Sequence, residues 1–237
     1  MNAIIGYTGF VGSNLIEQME FDHMYNSKNI EEILNKKYEL IVCSGIPSIK
    51  WYANKNPNDD LSNIVKLIEI LKSVECDRII HISTIDACKL PIEPYGENRL
   101  HAEIELQNIF GEKLTVIRLP SLFGKNLKKN ILYDLINNNF YRPINFCDEY
   151  QWYDLGNLGN DIKSILPSTI SRINLFPEPI SIKELVDNFF DVSPENIITD
   201  CDSASKYDFK MSETKKYLES KEEVLKKLKR YLNEEIN

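Results

Sequence analysis

The first twelve residues, MNAIIGYTGFVG, constrain this chain more than any later stretch. A short apolar run over 3–5 ends in three glycines, Gly6, Gly9 and Gly12, spaced GxxGxxG, and a helical pattern opens directly behind with Ser13-Asn14-Leu15-Ile16. The reading is a strand, a tight turn and a helix N-terminus. Lacking a Cβ, Gly6 can turn tightly off the strand, Gly9 can let a pyrophosphate reach the backbone, and Gly12 can let helix and strand pack closely. The amides of the Gly6-Tyr7-Thr8-Gly9-Phe10-Val11-Gly12 loop, together with the positive end of the helix, would hold the phosphates. Such a triplet after a strand reads as a dinucleotide loop, against the plainer alternative of an ordinary turn.

At 237 residues the chain has room for one large folding unit with a small appendage. Its 28 Lys+Arg against 36 Asp+Glu give a net charge of −8, which disfavours nucleic acid and anionic membrane as partners. The five cysteines, Cys43, Cys76, Cys88, Cys147 and Cys201, are dispersed and lack a CxxC, so the expectation is reduced thiols in a cytoplasmic protein. No apolar stretch is long enough to cross a membrane, and His23 and His101 have no partners at metal-binding spacing.

Further along, a short helix is expected over 13–19, a strand over 21–25, a helix over 29–37 and a buried strand over 40–45. Asn26, Ser27 and Lys28 follow the second strand, where a Rossmann unit meets the adenosine ribose, and they decide neither for NAD nor for NADP. Residues 46–58, with Trp51 and Tyr52, read as a loop. A long helix follows Pro57, then a strand over 78–84, a connection through Pro91 and Pro94, a helix over 95–110 and a strand over 114–119. This alternation predicts an α/β fold with a Rossmann-like, doubly wound parallel sheet. The expected division is a dinucleotide-binding core over 1–124 and a small substrate-binding region with C-terminal helices over 125–237. There, 126–138 reads as helical, and Ser181-Ile182-Lys183-Glu184 and Ser220-Lys221-Glu222-Glu223 have capping-box spacing.

Ligands of open α/β sheets lie beyond the carboxyl ends of the strands. Ser83-Thr84 stands at such an end, and Tyr95-Gly96-Glu97-Asn98-Arg99 opens the next helix, with Tyr95 and Arg99 one turn apart on a shared face. GYTGFVG, HISTIDAC, YGENRLHAE and VIRLPSLFG, in that order, resemble the extended short-chain dehydrogenase/reductases, the NAD-dependent epimerase/dehydratase group that acts mainly on nucleotide sugars.

The resemblance implies NAD or NADP as cofactor, a nucleotide sugar as substrate, a homodimer, and sugar chemistry of the kind used in polysaccharide biosynthesis. It implies that Gly6, Gly9 and Gly12 form the phosphate loop with backbone from Phe10 and Val11. Ser44 and Gly45 would wall the cofactor site, and Leu119, Pro120 and Ser121 would lie beside the nicotinamide. Tyr95 is the implied catalytic acid/base and Thr84 its hydroxyl partner. The family expects lysine four residues after the tyrosine; Arg99 stands there instead. Arginine keeps the positive charge that favours a tyrosinate, but its planar fork need not reproduce the lysine's bonds to the nicotinamide ribose. Two readings therefore stay open: an enzyme transferring hydride on a nucleotide sugar, and a dinucleotide-binding regulator or scaffold with little or no turnover. His81 reads as a core histidine, and Trp152 and Tyr153 as core fillers before base-stacking groups.

Overall fold

The computed structural model describes residues 1–90 and 92–236, the side chains of residues 235 and 236 excepted; Pro91 lies outside the described residues. In chain order, β1 (Asn2–Ile5) leads to α1 (Phe10–Leu15), β2 (His23–Tyr25), β3 (Lys37–Cys43), α2 (Lys50–Lys55), α3 (Pro57–Leu71), β4 (Glu75–Thr84), α4 (Pro94–Phe110) and β5 (Leu114–Leu119). Next come β6 (Ser121–Phe123), α5 (Ile131–Asn137), β7 (Ile144–Asn145), β8 (Glu149–Tyr150), β9 (Trp152–Asp154), α6 (Leu158–Ile165) and β10 (Arg172–Asn174). The chain closes with β11 (Ile180–Ser181), α7 (Ile182–Phe189), β12 (Ile197–Ile198) and α8 (Lys221–Ile236). These elements form two compact units, Met1–Leu119 with Gly156–Asn174, and Pro120–Leu155 with Leu175–Asn237.

The first unit is built on a six-stranded parallel sheet in the order β10-β5-β4-β3-β1-β2. Strand alternation sends Ala3, Ile5, Ile41, Cys43, Ile79 and Val116 into one core with Ile64, Ile68 and Leu71 of α3 and Ala102, Leu106 and Phe110 of α4. Ile4, Val42, Ile80 and Ile117 alternate with them and are buried as well. Both faces of the sheet are therefore covered, as a doubly wound parallel sheet requires. α6 packs beside the turn after α1, where the Gly159 amide donates to Gln18 Oε1 at 2.8 Å. The order reverses between β1 and β3, so the carboxyl ends of these two strands form the switch point of the sheet.

Four local expectations change. α1 starts at Phe10, not Ser13, because Gly9 occupies the N-cap. The helix expected over 29–37 is one 3-10 turn, Ile30–Ile33, since Asn35 takes φ 60° and β3 already begins at Lys37. Residues 46–58 are not all loop, because α2 lies within them. Within 126–138 only α5 is helical; Asn130, at φ 129°, caps it by accepting from the Tyr133 amide at 3.0 Å.

In the second unit β6 runs parallel to β9, β8 antiparallel to β11, and β7 parallel to β12. Gln151 is buried among them, donating to the carbonyls of Pro177 and Phe209 at 2.7 and 2.9 Å and accepting from the Phe209 amide at 3.0 Å. Trp152 and Tyr153 are buried in the core. Both capping boxes form: Ser181 and Glu184 exchange bonds at the start of α7, as do Ser220 and Glu223 before α8. No described helix is long and apolar enough to cross a membrane.

The expectation of five reduced thiols is corrected here. Cys147 and Cys201 are joined in a disulfide, with Cα atoms 5.1 Å apart across 54 residues, and only Cys43, Cys76 and Cys88 are free. A separation of that length carries no sequence signal. The pairing of Ile144 with Ile197 brings the two segments together, and the Asn145 side chain clasps the Asp200 backbone through bonds of 2.6 and 3.2 Å. Thiol titration of the denatured, unreduced protein is expected to find three thiols per chain and five after reduction; five without reductant would show that this link does not form.

Candidate active site

Gly6 stands at φ +89°, and a Cβ there would fall 2.6 Å from the Ser44 carbonyl oxygen and 2.7 Å from Gly45 Cα. A Cβ on Gly12 would lie 2.2 Å from the Gly6 oxygen. Both glycines are thus demanded by the protein's own backbone. Gly9 differs: its φ of −79° suits any residue, and a Cβ would meet only the Gly6 oxygen, at 3.3 Å. The first intrahelical donor of α1 is the Ser13 amide, bonded to Gly9 O at 2.8 Å, so the preceding amides of Phe10, Val11 and Gly12 form the open N-terminus of the helix. Thr8 and Gly9 are exposed at the tip of the loop.

Ser44 closes the side of this loop, its amide and hydroxyl both donating to Ile5 O at 2.9 and 3.0 Å. At the end of β2 the Asn26 side chain donates to the Tyr7 hydroxyl at 3.2 Å and accepts from the Lys28 amide at 2.9 Å, while Ser27 is exposed. Leu119 is buried at the end of β5, opposite Thr84. Pro120 and Ser121 open the second unit, where the Ser121 amide donates to Gln151 O at 3.1 Å.

Thr84, Tyr95 and Arg99 come together in the first unit. Tyr95 is 7% exposed at the start of α4, its amide donating to Asn54 Oδ1 at 2.9 Å, while the Thr84 hydroxyl donates to Asp86 Oδ2 at 3.3 Å. Gly96 lets the helix start close against the turn after β4, since a Cβ there would stand 2.3 Å from Asp86 O. Burial pushes the Tyr95 phenol above the ordinary tyrosine value; Arg99 opposes that rise, Asp86 adds to it, and Thr84 and Lys50 oppose it.

Arg99 does not reach past the phenol. Its guanidinium carbon sits 4.1 Å from the centre of the Tyr95 ring, against the ring face. Its nitrogens are bonded to both carboxylate oxygens of Asp60, one at 3.0 Å, and to the Pro47 carbonyl. Asn98 completes the cluster, donating to Asp60 Oδ2 at 2.8 Å and to Pro57 O at 2.9 Å. Arg99 and Asp60 are 3% and 5% exposed, so this is a buried, forked ion pair.

A second buried pair lies behind Thr84, where Arg118 donates to both oxygens of Glu103 at 2.8 and 2.6 Å and Ser83 donates to the same carboxylate at 2.6 Å. His81 is buried on β4; burial lowers its pKa from 6.5 to about 4, with Glu103 pulling the other way. It is a neutral core histidine.

No protein-family model and no curated protein matches the chain. Solved structures do. UDP-glucose 4-epimerase from Thermotoga maritima, with UDP-glucose, superimposes with a TM-score of 0.70 at 14% identity over 88% of this chain and 90% of that one. A dTDP-4-dehydrorhamnose reductase ortholog from Clostridium acetobutylicum gives 0.66 at 14% identity over 98% and 99%. The dTDP-glucose 4,6-dehydratase of Streptomyces venezuelae, a double mutant with NAD bound, gives 0.66 at 13% identity over 87% and 85%. The chain shares the Rossmann-type fold of these sugar-nucleotide enzymes. At such identities the likeness is one of fold.

Lys50, Asn54, Asp60 and Asp86 were not singled out from the sequence. Asp60 had one available signal, since a buried arginine needs an acid beside it. Removing that acid by Asp60→Ala is expected to cost about 3–5 kcal/mol in urea unfolding, because it strands the Arg99 charge; a loss under 1 kcal/mol would mean the pair is solvated. For His81, whose folded pKa of about 4 lies below 6.5, protons bind the unfolded chain first. Stability should therefore fall as pH drops from 6.5 towards 4, by up to ~3 kcal/mol, and His81→Leu should flatten that part of the curve. Equal pH dependence in both proteins would reject this assignment.

Proposed function

We propose that this protein binds NAD or NADP at Gly6 to Gly12 and uses Tyr95 as acid/base on a hydroxyl or keto carbon of a nucleotide-linked sugar. The observation that carries the reading is Gly9. Gly6 and Gly12 are explained by backbone collisions, whereas a Cβ on Gly9 would make one tight contact, 3.3 Å from Gly6 O, short of a collision, and Gly9 borders the open amides of α1. A glycine there suits a phosphate approaching the backbone, and the donor set fits the pyrophosphate of a dinucleotide. Structural neighbours that carry NAD or NADP, or act on UDP- and dTDP-sugars, support the same reading.

The nicotinamide, when bound, supplies a hydride acceptor or donor. The chain's own groups do the rest. In the oxidative direction Tyr95 would take the hydroxyl proton and Thr84 would orient the oxygen; in reduction Tyr95 returns the proton. Ser44 and Gly45 wall the cofactor, Leu119, Pro120 and Ser121 flank its nicotinamide end, and Asn26 and Ser27 face its adenosine ribose. Residues 125–237 are assigned to the sugar nucleotide. A homodimer belongs to this proposal; the cytoplasmic location expected from reduced thiols loses that support with the Cys147–Cys201 disulfide.

A second reading, dinucleotide binding without turnover, is favoured by one observation: Arg99 is committed to Asp60 and Pro47, while Tyr95 is held above the ordinary tyrosine value. Thermal unfolding with NAD, NADH, NADP and NADPH, followed by nicotinamide absorbance with a panel of nucleotide sugars, separates the two. Gly9→Val should keep the fold and lose stabilisation by the dinucleotide; full retention would remove the loop from the site. Tyr95→Phe should bind the dinucleotide and lose at least ~10²-fold in turnover. Binding with no turnover of any sugar nucleotide would favour the regulator.

A further inference from the structure

Tryptophan occurs twice in this chain, in opposite settings. Trp152 is 1% exposed in the second unit, whereas Trp51, on α2, is 71% exposed. The helix that carries Trp51 is firmly held. Ala53 is buried, the Lys50 ammonium stands 2.6 Å from Asp86 Oδ1 and 3.0 Å from Glu93 Oε2, and Asn54 Oδ1 accepts from the Tyr95 amide at 2.9 Å. An indole so exposed on a pinned element keeps a large apolar surface in water at a fixed place. Tyr52 stands beside it, ring centroids 5.8 Å apart and edge to face, with its own hydroxyl donating to Asp59 Oδ2 at 2.9 Å. Lys55 is exposed as well and forms no ion pair among the described residues. Trp51 is three residues from Asn54 and four from Lys55, so the three lie along one side of α2, with Asn54 bonded to Tyr95.

We infer that Trp51 is the platform for the hexose ring of the nucleotide sugar, and that Lys55 meets the diphosphate joined to it. The inference rests on the proposed reaction at Tyr95, and it adds to residues 125–237 a sugar-nucleotide contact on the unit that carries Tyr95. A hexose presents a face of C–H bonds, whose partial positive charge suits the negative face of an aromatic ring. The phosphate on its anomeric oxygen lies one short step from that ring, and the ~5–6 Å between Cβ atoms one helical turn apart matches the step. Charge completes the fit. The protein carries a net charge of −8, so an unpaired ammonium beside the exposed indole is a local attraction for a diphosphate against a repelling background. Lys50, the other cation of α2 near Tyr95, is committed to Asp86 and Glu93. An exposed indole can also stack on a nucleoside base. The hexose is favoured because Asn54, one turn from Trp51, bonds the amide of Tyr95, the residue assigned to the reacting hexose carbon, whereas the base lies beyond the diphosphate and the ribose.

Iodide quenches exposed indoles and spares buried ones, so it reads Trp51 selectively in a protein whose other tryptophan is buried. Trp51→Phe should remove the iodide-sensitive fluorescence. With NAD present, the best calorimetric binder from a panel that includes UDP-glucose and dTDP-glucose should shield Trp51 from iodide, and its nucleoside diphosphate alone should not. Trp51→Ala should weaken the sugar nucleotide about 3–10-fold and leave both the nucleoside diphosphate and thermal stabilisation by NAD unchanged; Trp51→Tyr should recover most of the affinity. Lys55→Gln should weaken the sugar nucleotide and the nucleoside diphosphate by one common factor. A bound sugar nucleotide that leaves Trp51 open to iodide would overturn the inference, as would equal shielding by the nucleoside diphosphate, which would put the base on the indole. Wild-type affinities in Lys55→Gln would overturn the diphosphate contact. If no sugar nucleotide of the panel binds, the functional reading fails and the inference with it, an outcome distinct from binding without shielding.

Discussion

At Gly6 the backbones of the turn, of the segment after β3 and of α1 share a space too small for a methyl group. Its amide bonds to Tyr25 O at 2.7 Å, and Cβ positions built on Gly6 and Gly12 would overlap neighbouring main-chain atoms. That crowding brings the end of β1 against the end of β3 and sets α1 over the switch point. An alanine at Gly6 would have both a forbidden φ and a collision with Ser44, so the fold and the ligand loop depend on the same atom being absent.

The buried Arg99 and Asp60 pair does a different job. It joins α4 to α3 beneath Tyr95, and the Pro47 carbonyl and Asn98 amide satisfy the remaining polar groups. A buried ion pair contributes little net stability over an apolar contact of equal volume, yet it fixes one geometry, because every other arrangement strands a charge. The stacking of the guanidinium on the ring then holds the phenol at a set height on the helix. Arg118 and Glu103 anchor the other side of α4 to β5 in the same way. Between these two clamps the start of α4 has little freedom, which suits a residue that must meet a reacting atom within a fraction of an ångström.

Much of the core was legible in the sequence, because strands and long helices announce themselves by period. β5 matches its expected span, and the helices after Pro57 and Pro94 match because proline marks a first turn, with a broad apolar stripe following Pro57. The glycine loop and the shared face of Tyr95 and Arg99 were legible for the same local reason. What could not be read depended on long-range partners. Asp60 meets Arg99 across 39 residues, Lys50 meets Asp86 across 36, and Cys147 meets Cys201 across 54, and no local pattern marks any of them. α2 was hidden because six residues show too little of a helical period, and the 29–37 segment misled because its apolar spacing is helical while Asn35 turns left-handed.

The segment Gly156–Asn174 rejoins the first unit after the chain has already traced part of the second. β10 pairs along β5 from Val116 to Arg118, and the α6 side packs on Gln18. During synthesis, then, the first 119 residues emerge with β5 as an unpaired sheet edge, a surface that pairs readily with other chains. The edge is covered only once residue 174 has cleared the ribosome, some 55 residues later by the numbering of the two segments. Strand-edge exposure during translation, more than any weakness of the finished core, is where this topology is vulnerable, and a fragment ending at Leu119 would carry that open edge permanently.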